Sequence, residues 1–390
     1  MLHMESGEKE VKESEFVVKG VLGSSRSGLV FFARRDDVDY AMKVRLPEVL
    51  AQGKPKMTPI FDHPFFVKLK CLFFAESKLV MAFKLVRGPQ LLEYVQRNGA
   101  QREGPRLDHL VFNLVAAQLV SAFSYLSEVV KIPYRDFKPS NVLINDSGNI
   151  VLTAHCEEDQ TAIAFARADV SFLAPEIVIK IRERRALSGV FGRGASKTIS
   201  LVDDNANRIE DERASWWSLG IYLLVIATGT NPFHSDDPMK VEENVLRKKL
   251  VIPQNLGKLS VLLNELLDRD ITARLCSADQ VRRHPYFHNM DWNKLLYLGY
   301  HPPFLPNITN LSKRNLLDSR NSSSKASLNS SSLDTSLDLS STAGHIALMN
   351  TMVMPDVDNQ LEGNTMFVQN TSMIEDQLCA SSSASESGSD

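Results

Sequence analysis

Asp136, Lys138 and Asn141 stand close together in the segment PYRDFKPSNVLIN. An acid can orient a hydroxyl, an amine can sit against an anion, and an amide oxygen can ligate a cation. A polar loop between apolar segments would show the same residue types. That bland explanation is weak here, because FLAPEIV, SWWSLG and NPF follow in order downstream. Upstream, YAMKV sets Lys43 in a β-rich run, where a lone lysine is ordinarily an edge charge facing water. LGSSRSGLVFFA places Gly23 and Gly28 on either side of a Ser-rich turn, where missing side chains would let a ligand approach backbone. Gly/Ser turns between strands are, on their own, usually only turns.

These side chains need elements to hold them. Residues 16–23 and 28–34 flank the Ser-rich turn as a hairpin would, and 40–44, 67–75 and 78–85 are further β-rich runs. After Gly88 the pattern changes. Apolar residues recur at helical spacing in 91–97, 107–130, 216–228, 241–250 and 259–268. An α+β chain results, with a small β lobe preceding a larger helical lobe. A polar stretch at 180–214 holds SGVFGRGASK and DDNANRIEDER and has no periodic apolar face, so it is expected to be a loop-like, mobile surface insertion. Residues 307–390, rich in Ser, Asn and Asp, cannot bury enough apolar surface to offset chain entropy and are expected to be disordered.

Composition removes several function classes. The 390 residues carry 44 Lys+Arg against 47 Asp+Glu, a net of −3, which lacks the basic excess of a non-specific nucleic-acid or membrane-surface binder. Four scattered cysteines form no CxxC pair, so neither a zinc site nor a disulfide framework is indicated, and a reducing compartment is expected. The charged N-terminus is unlike a signal peptide. The longest strongly apolar run is taken as 219–227, about half of the ~20 residues a membrane span needs.

Taken together, the motifs resemble a eukaryotic protein kinase domain, specifically of the AGC group. The group's marks are HPFFVKL from His63, Tyr134 before RD, WWSLG at 216–220, and HPYFHNMDWNKLL followed by HPPFLP. The end of the match is most similar to ribosomal-protein-kinase-like members. The resemblance implies a bilobal kinase fold over 16–306, with a small lobe at 16–87, a large lobe at 88–290 and an N-terminal extension at 1–15. It implies that Gly23, Gly28, Val30 and Lys43 hold nucleotide phosphates and base, with Phe83 as gatekeeper and Lys84 and Val86 in the hinge. Asp136 and Lys138 become the catalytic pair, Asn141 a metal ligand, and Glu176 with Arg274 a buried ion pair bracing the large lobe.

Departures from the family pattern bear on the chemistry. NIVLTAHC stands where the family ends a strand in LTDFG, so Ala154, His155 and Cys156 replace the metal-binding Asp, the Phe and the Gly. An alanine methyl cannot hold a cation; Glu157, Glu158 or Asp159 would have to substitute. The small-lobe helix glutamate that pairs with the strand lysine falls at Lys54, and Pro55 and Pro59 lie inside the expected helix, where each interior proline costs ~3 kcal/mol. That helix is expected to be absent or reduced, leaving Glu48 as the nearest acidic replacement. Ser25 replaces a glycine of the phosphate-covering turn, and Ser215 replaces the aspartate that fastens the catalytic loop, with weaker support expected. Phe165 or a neighbour occupies the usual phosphothreonine position, and Gln90 and Ser140 stand where basophilic members carry acids. RERR at 182–185 reads as a docking patch or, more plainly, a solvated face, and MFV at 366–368 as a degenerate hydrophobic motif or an incidental triplet.

The expected function is that of a pseudokinase or very weak kinase acting by protein binding or scaffolding in intracellular signalling. The alternative is an active, atypical ATP-dependent Ser/Thr kinase. ATP is expected to bind weakly and Mg2+ binding is in doubt. Expected partners are proteins, with no nucleic acid and no membrane span; the tail would be a phosphorylation substrate, and the location cytoplasmic or nuclear.

Overall fold

The computed structural model of the chain describes residues 13–25, 28–45, 61–75, 78–99, 107–134, 137–153, 169–191 and 204–304. Five strands build the small lobe: β1 (Val17–Ser25), β2 (Gly28–Arg35), β3 (Val38–Arg45), β4 (Leu69–Ala75) and β5 (Lys78–Lys84). They lie in the order β1-β2-β3-β5-β4 with every neighbouring pair antiparallel. Asp36 and Asp37 turn the β2–β3 hairpin with φ of 48° and 60°, the left-handed pair whose twist matches that of the strands. Opposed residues share a face of a sheet. One face therefore carries Val30, Lys43 and Met81 in a row, with Phe32, Ala41 and Phe83 beside it. Phe31, Met42 and Ala82, all buried, line the other. The strands meet the sequence expectation closely.

The large lobe is helical: α1 (Leu91–Gly99), α2 (His109–Tyr125), α3 (Pro175–Phe191), α4 (Asp204–Thr228), α5 (Pro238–Arg247), α6 (Lys258–Leu266), α7 (Ala278–Arg283) and α8 (Trp292–Leu296). A short hairpin, β6 (Val142–Ile144) and β7 (Ile150–Leu152), sits among them. Helices α2 and α4 form the centre. From Val115 to Phe123 and from Ala214 to Ala227 nearly every side chain is buried, as befits helices apolar on all sides. The segment His109–Val130, mean hydropathy 1.6, is long and apolar enough to cross a bilayer, so the run at 219–227 is not the chain's strongest candidate. Here 67% of that window is buried within the lobe, the position of a core helix.

The loop reading of 180–214 is corrected over the described part. Helix α3 continues through Phe191, and α4 begins at Asp204, ten residues before its buried stretch. Hydrophobic periodicity could not reveal these extensions, because polar contacts hold them. Arg182 and Arg185 both pair with Glu242 on α5, so two residues of RERR face a carboxylate and not only water. Burial pushes the Glu242 carboxyl up, and the two guanidiniums outweigh it, leaving the group below its ordinary value. On α4, Glu212 accepts from the Ser127 hydroxyl, and Arg213 donates to the Ile271 carbonyl at 2.9 Å.

The lobes meet along HPFF. Val67 N–H donates to the Leu152 carbonyl at 3.0 Å, and Leu152 N–H donates to that of Phe65 at 2.8 Å. His63 fastens this segment to α2. Its Nδ1 accepts from Phe65 N–H at 3.3 Å, which leaves the proton on Nε2, 3.1 Å from Ser121 Oγ. Burial lowers the His63 pKa to about 4, partly opposed by Asp62.

Candidate functional site

The catalytic-loop candidates are held from both sides. Tyr134 and Phe137, the residues flanking Arg135 and Asp136, are 4% and 3% exposed. Tyr134 stacks on Phe123 of α2 at 5.2 Å, and Phe137 meets Phe123 edge-on at 4.9 Å and Tyr222 of α4 at 5.1 Å. Such ring pairs add to plain burial and restrict orientation. Tyr134 N–H donates to Ser215 Oγ at 3.0 Å, within the buried base of the loop. The serine thus makes the backbone bond that the sequence comparison expected it to make poorly. Asp136 itself lies outside the described residues.

Beyond Phe137, Lys138 opens a turn of 3-10 helix (Pro139–Asn141), closed by Asn141 N–H on the Lys138 carbonyl at 3.0 Å. Both side chains are half-buried. The β6–β7 hairpin then returns the chain to Asn141. Its register pairs Val142 with Leu152 and Ile144 with Ile150, and Thr153 N–H reaches the Asn141 carbonyl at 2.9 Å. The hairpin is set by Gln118, a buried α2 residue that sequence reading passed over. Gln118 donates to Asn149 Oδ1 at 2.6 Å and accepts from Ile150 N–H at 2.9 Å. A buried amide satisfied by partners far along the chain leaves no local signal.

On the small lobe, Lys43 is 8% exposed and lies between Val30 and Met81 on one face of the sheet. Burial of an amine requires polar company, and Lys43 has an interaction partner. Val30 and Ala41 on the same face are only half-buried, and Phe83 next to Ala41 is 8% exposed. A Cβ at Gly23 would meet nothing within 4 Å, so packing within the chain does not require a glycine there. Lys84 is exposed, and Leu85 and Val86 are half-buried in the connector between the lobes. Gly88 is obligatory: a Cβ would stand 1.7 Å from the Ile144 carbonyl oxygen. Pro89 accepts from Ile144 N–H at 3.0 Å, and Gln90 bridges to Leu143, which is half-buried between two buried neighbours. Ala41, Gly88 and Leu143 are positions around the lobe connector that the motif reading did not single out.

A buried amine beside half-exposed apolar side chains on one sheet face is chemistry that suits a nucleotide triphosphate. Among the described residues no group of three His, Cys, Asp or Glu side chains is placed to hold a metal ion. Thr153 N–H is tied to the Asn141 carbonyl, which brings the end of the hairpin back to Asn141. Residues Ala154–Asp159, Phe165, Glu48, Lys54, Pro55, Pro59 and the triplet at 366–368 lie outside the described residues. Gln90 and Ser140 are both exposed.

The large-lobe brace is present. Arg274, its side chain fully buried, donates to both oxygens of Glu176 at 2.5 and 3.0 Å, and lies 5.1 Å over the Trp217 ring. A fork-to-fork pair of this kind is directional as well as strong.

Comparison with known proteins agrees with this geometry. The protein kinase domain family matches residues 16–287. The chain is 30% identical over 330 residues to ribosomal protein S6 kinase 2 beta of Xenopus laevis, covering 79% of this chain and 47% of that protein. It is 28% identical over 324 residues to the serine/threonine-protein kinase YPK1 of Saccharomyces cerevisiae, covering 78% and 42%. It is 27% identical over 328 residues to a RAC family serine/threonine-protein kinase homolog of Dictyostelium discoideum, covering 78% and 66%. The chain thus spans less than half the length of the first two relatives. The chain belongs to the protein kinase family, within the AGC group of serine/threonine kinases.

Proposed function

We propose that this chain is a pseudokinase or very weak kinase that binds nucleotide and acts through protein partners in intracellular signalling. The observation that supports this reading lies in the sequence: TAHC at 153–156 stands where the family carries TDFG, downstream of the retained Asn141. Metal-based charge stabilisation is worth several kcal/mol of barrier in phosphoryl transfer, and ~4 kcal/mol is about a thousandfold in rate. Weak ATP binding without a strong Mg2+ requirement follows from the retained amine and apolar surfaces. The tail, with its run of serines, serves as a substrate for other kinases, and the protein resides in the cytoplasm or nucleus.

The active-kinase reading keeps one specific argument. Lys43, Lys138 and Asn141 are retained and their supports are intact, including the Ser215 bond to the catalytic loop. Radiolabelled phosphotransfer to basic peptides separates the two readings. The expected rate is barely above background in Mg2+ or Mn2+. Robust transfer that disappears in Asp136→Asn overturns the pseudokinase and makes Glu157 and Glu158 the first replacement ligands to test.

A further inference from the structure

The connector between the lobes is held on its small-lobe side by a residue outside every kinase motif. Asp39 follows the β2–β3 turn and pairs in register with Arg34. Its carbonyl oxygen accepts from Leu85 N–H at 3.3 Å, one rung beyond the Tyr40–Lys84 pair that ends the β3–β5 ladder. Its carboxylate accepts from Arg34 Nε at 2.7 Å through one oxygen and from Arg87 Nη2 through the other. The Asp39 side chain is 7% exposed, whereas Arg34 and Arg87 are 44% and 55% exposed. The acid is therefore sequestered and the two cations remain in water. The hydrogen bond that Arg34 donates to Asp39 raises the Arg34 pKa.

On the other side, Pro89 is bonded to Ile144 and Gly88 lies against the Ile144 carbonyl with no room for a side chain. Val86 lies between Leu85 and Arg87, both held by Asp39 in the small-lobe fastening, and the large-lobe fastening follows at Gly88 and Pro89. The large-lobe one is backbone and steric, and survives any side-chain change outside Gly88. The small-lobe one combines the Leu85 backbone bond with a single carboxylate set between two guanidiniums. Without that carboxylate the attraction that draws Arg87 to the hairpin beside Arg34 is lost.

We propose that Asp39 is a positioning residue for nucleotide recognition, clamping the connector through Arg87 so that the backbone of Val86 is presented to the purine. The proposal rests on the nucleotide-binding reading above. Nothing in it involves the phosphates, so its effect belongs to the purine half of the ligand.

The test uses the full chain, with adenosine and ATP titrated separately by calorimetry, and hydrogen exchange over residues 84–90 without ligand. Asp39→Asn and Arg87→Met are each expected to weaken adenosine and ATP by the same factor, about tenfold. The double variant is expected to be no worse than either single one, as befits two halves of one contact. Lys43→Met serves as the contrast, losing affinity for ATP and not for adenosine. Faster exchange at Leu85 is expected in both clamp variants. A loss confined to ATP, or additive losses in the double variant, overturns the proposal. Unchanged exchange at Leu85 overturns the clamp whether or not nucleotide binds. Wild-type protein that binds neither ligand overturns the nucleotide reading, and with it the recognition role assigned to Asp39, while the exchange result separately decides the clamp.

Discussion

The two ends of the β6–β7 hairpin lie within one hydrogen bond of each other and have had different fates. At one end Lys138 and Asn141 keep the residue types of a working kinase, on a turn closed by its own backbone. At the other, Thr153 is held by the Asn141 carbonyl and is followed by AHC instead of DFG. Both ends rest on formed supports: Gln118 beneath the hairpin, Ser215 and the rings of Phe123 and Tyr222 beneath the catalytic loop, and Arg274 on Glu176 at the base of the lobe. Folding holds the packing residues in place, because a cavity or an orphaned charge costs several kcal/mol. It exerts no hold on a metal ligand, which contributes to chemistry and little to the folded state. The braces of a kinase fold are thus under a constraint that its chemical residues do not share.

That contrast can be broken at either side, and the largest effect belongs to the brace. Arg274→Ala leaves Glu176 without its partner beside a buried ring cluster and is expected to destabilise the protein by about 3–5 kcal/mol. Thermal or urea unfolding would reveal it; a change below about 1 kcal/mol would show that the pair is not what holds the lobe.

The lobe junction comes next. Folded protein keeps His63 neutral down to about pH 4, while the unfolded chain takes up a proton near the ordinary value of 6.5. Between those values the unfolded state binds more protons, so stability is full above pH 6.5 and declines as pH falls toward 4. The shift corresponds to about 3 kcal/mol over that window. His63→Asn is expected to flatten the decline in urea midpoints between pH 7 and 4.5, and an unaltered slope would exclude the histidine as its source.

Smaller again is the catalytic-loop fastening. Ser215→Ala leaves the buried Tyr134 N–H without this acceptor, at a cost of about 1–3 kcal/mol. Ser215→Asp, with the same acceptor and more reach, is expected to lie nearer the wild type; equal losses in both variants would mean that bulk and not bonding is at issue.

The end of the hairpin that runs on to Ala154 is expected to be nearly silent in stability. Ala154→Asp should leave the apo melting temperature close to unchanged and raise ATP affinity in Mg2+ by about tenfold, roughly 1.4 kcal/mol. No gain in Mg2+ would mean that the site lacks more than this one carboxylate.

Much of this arrangement was legible before any coordinates. Strands announce themselves by β-branched and aromatic runs between turn residues, and all five small-lobe strands lie where those runs are. Lys43 and Phe83 lie on strands of the small lobe, Lys138 and Asn141 at the two ends of one short turn, Glu176 at the start of α3, and Arg274 in the loop before α7. The Ala154 substitution is likewise a fact of sequence alone. The missed features share one physical character: they are polar contacts between residues distant along the chain. Helices α3 and α4 extend through stretches without an apolar face, held by Glu242 and by Ser127 and Ile271. Arg87 meets Asp39 across 48 positions, and Tyr134 meets Ser215 across 81. Periodicity and composition report burial, which is local to an element and repeated along it. A hydrogen bond is a single event whose partner is chosen by the packed backbone. The sequence by itself thus determined the family and the lobes, and only the tertiary structure decided which side chains fasten the loop, the hairpin and the connector.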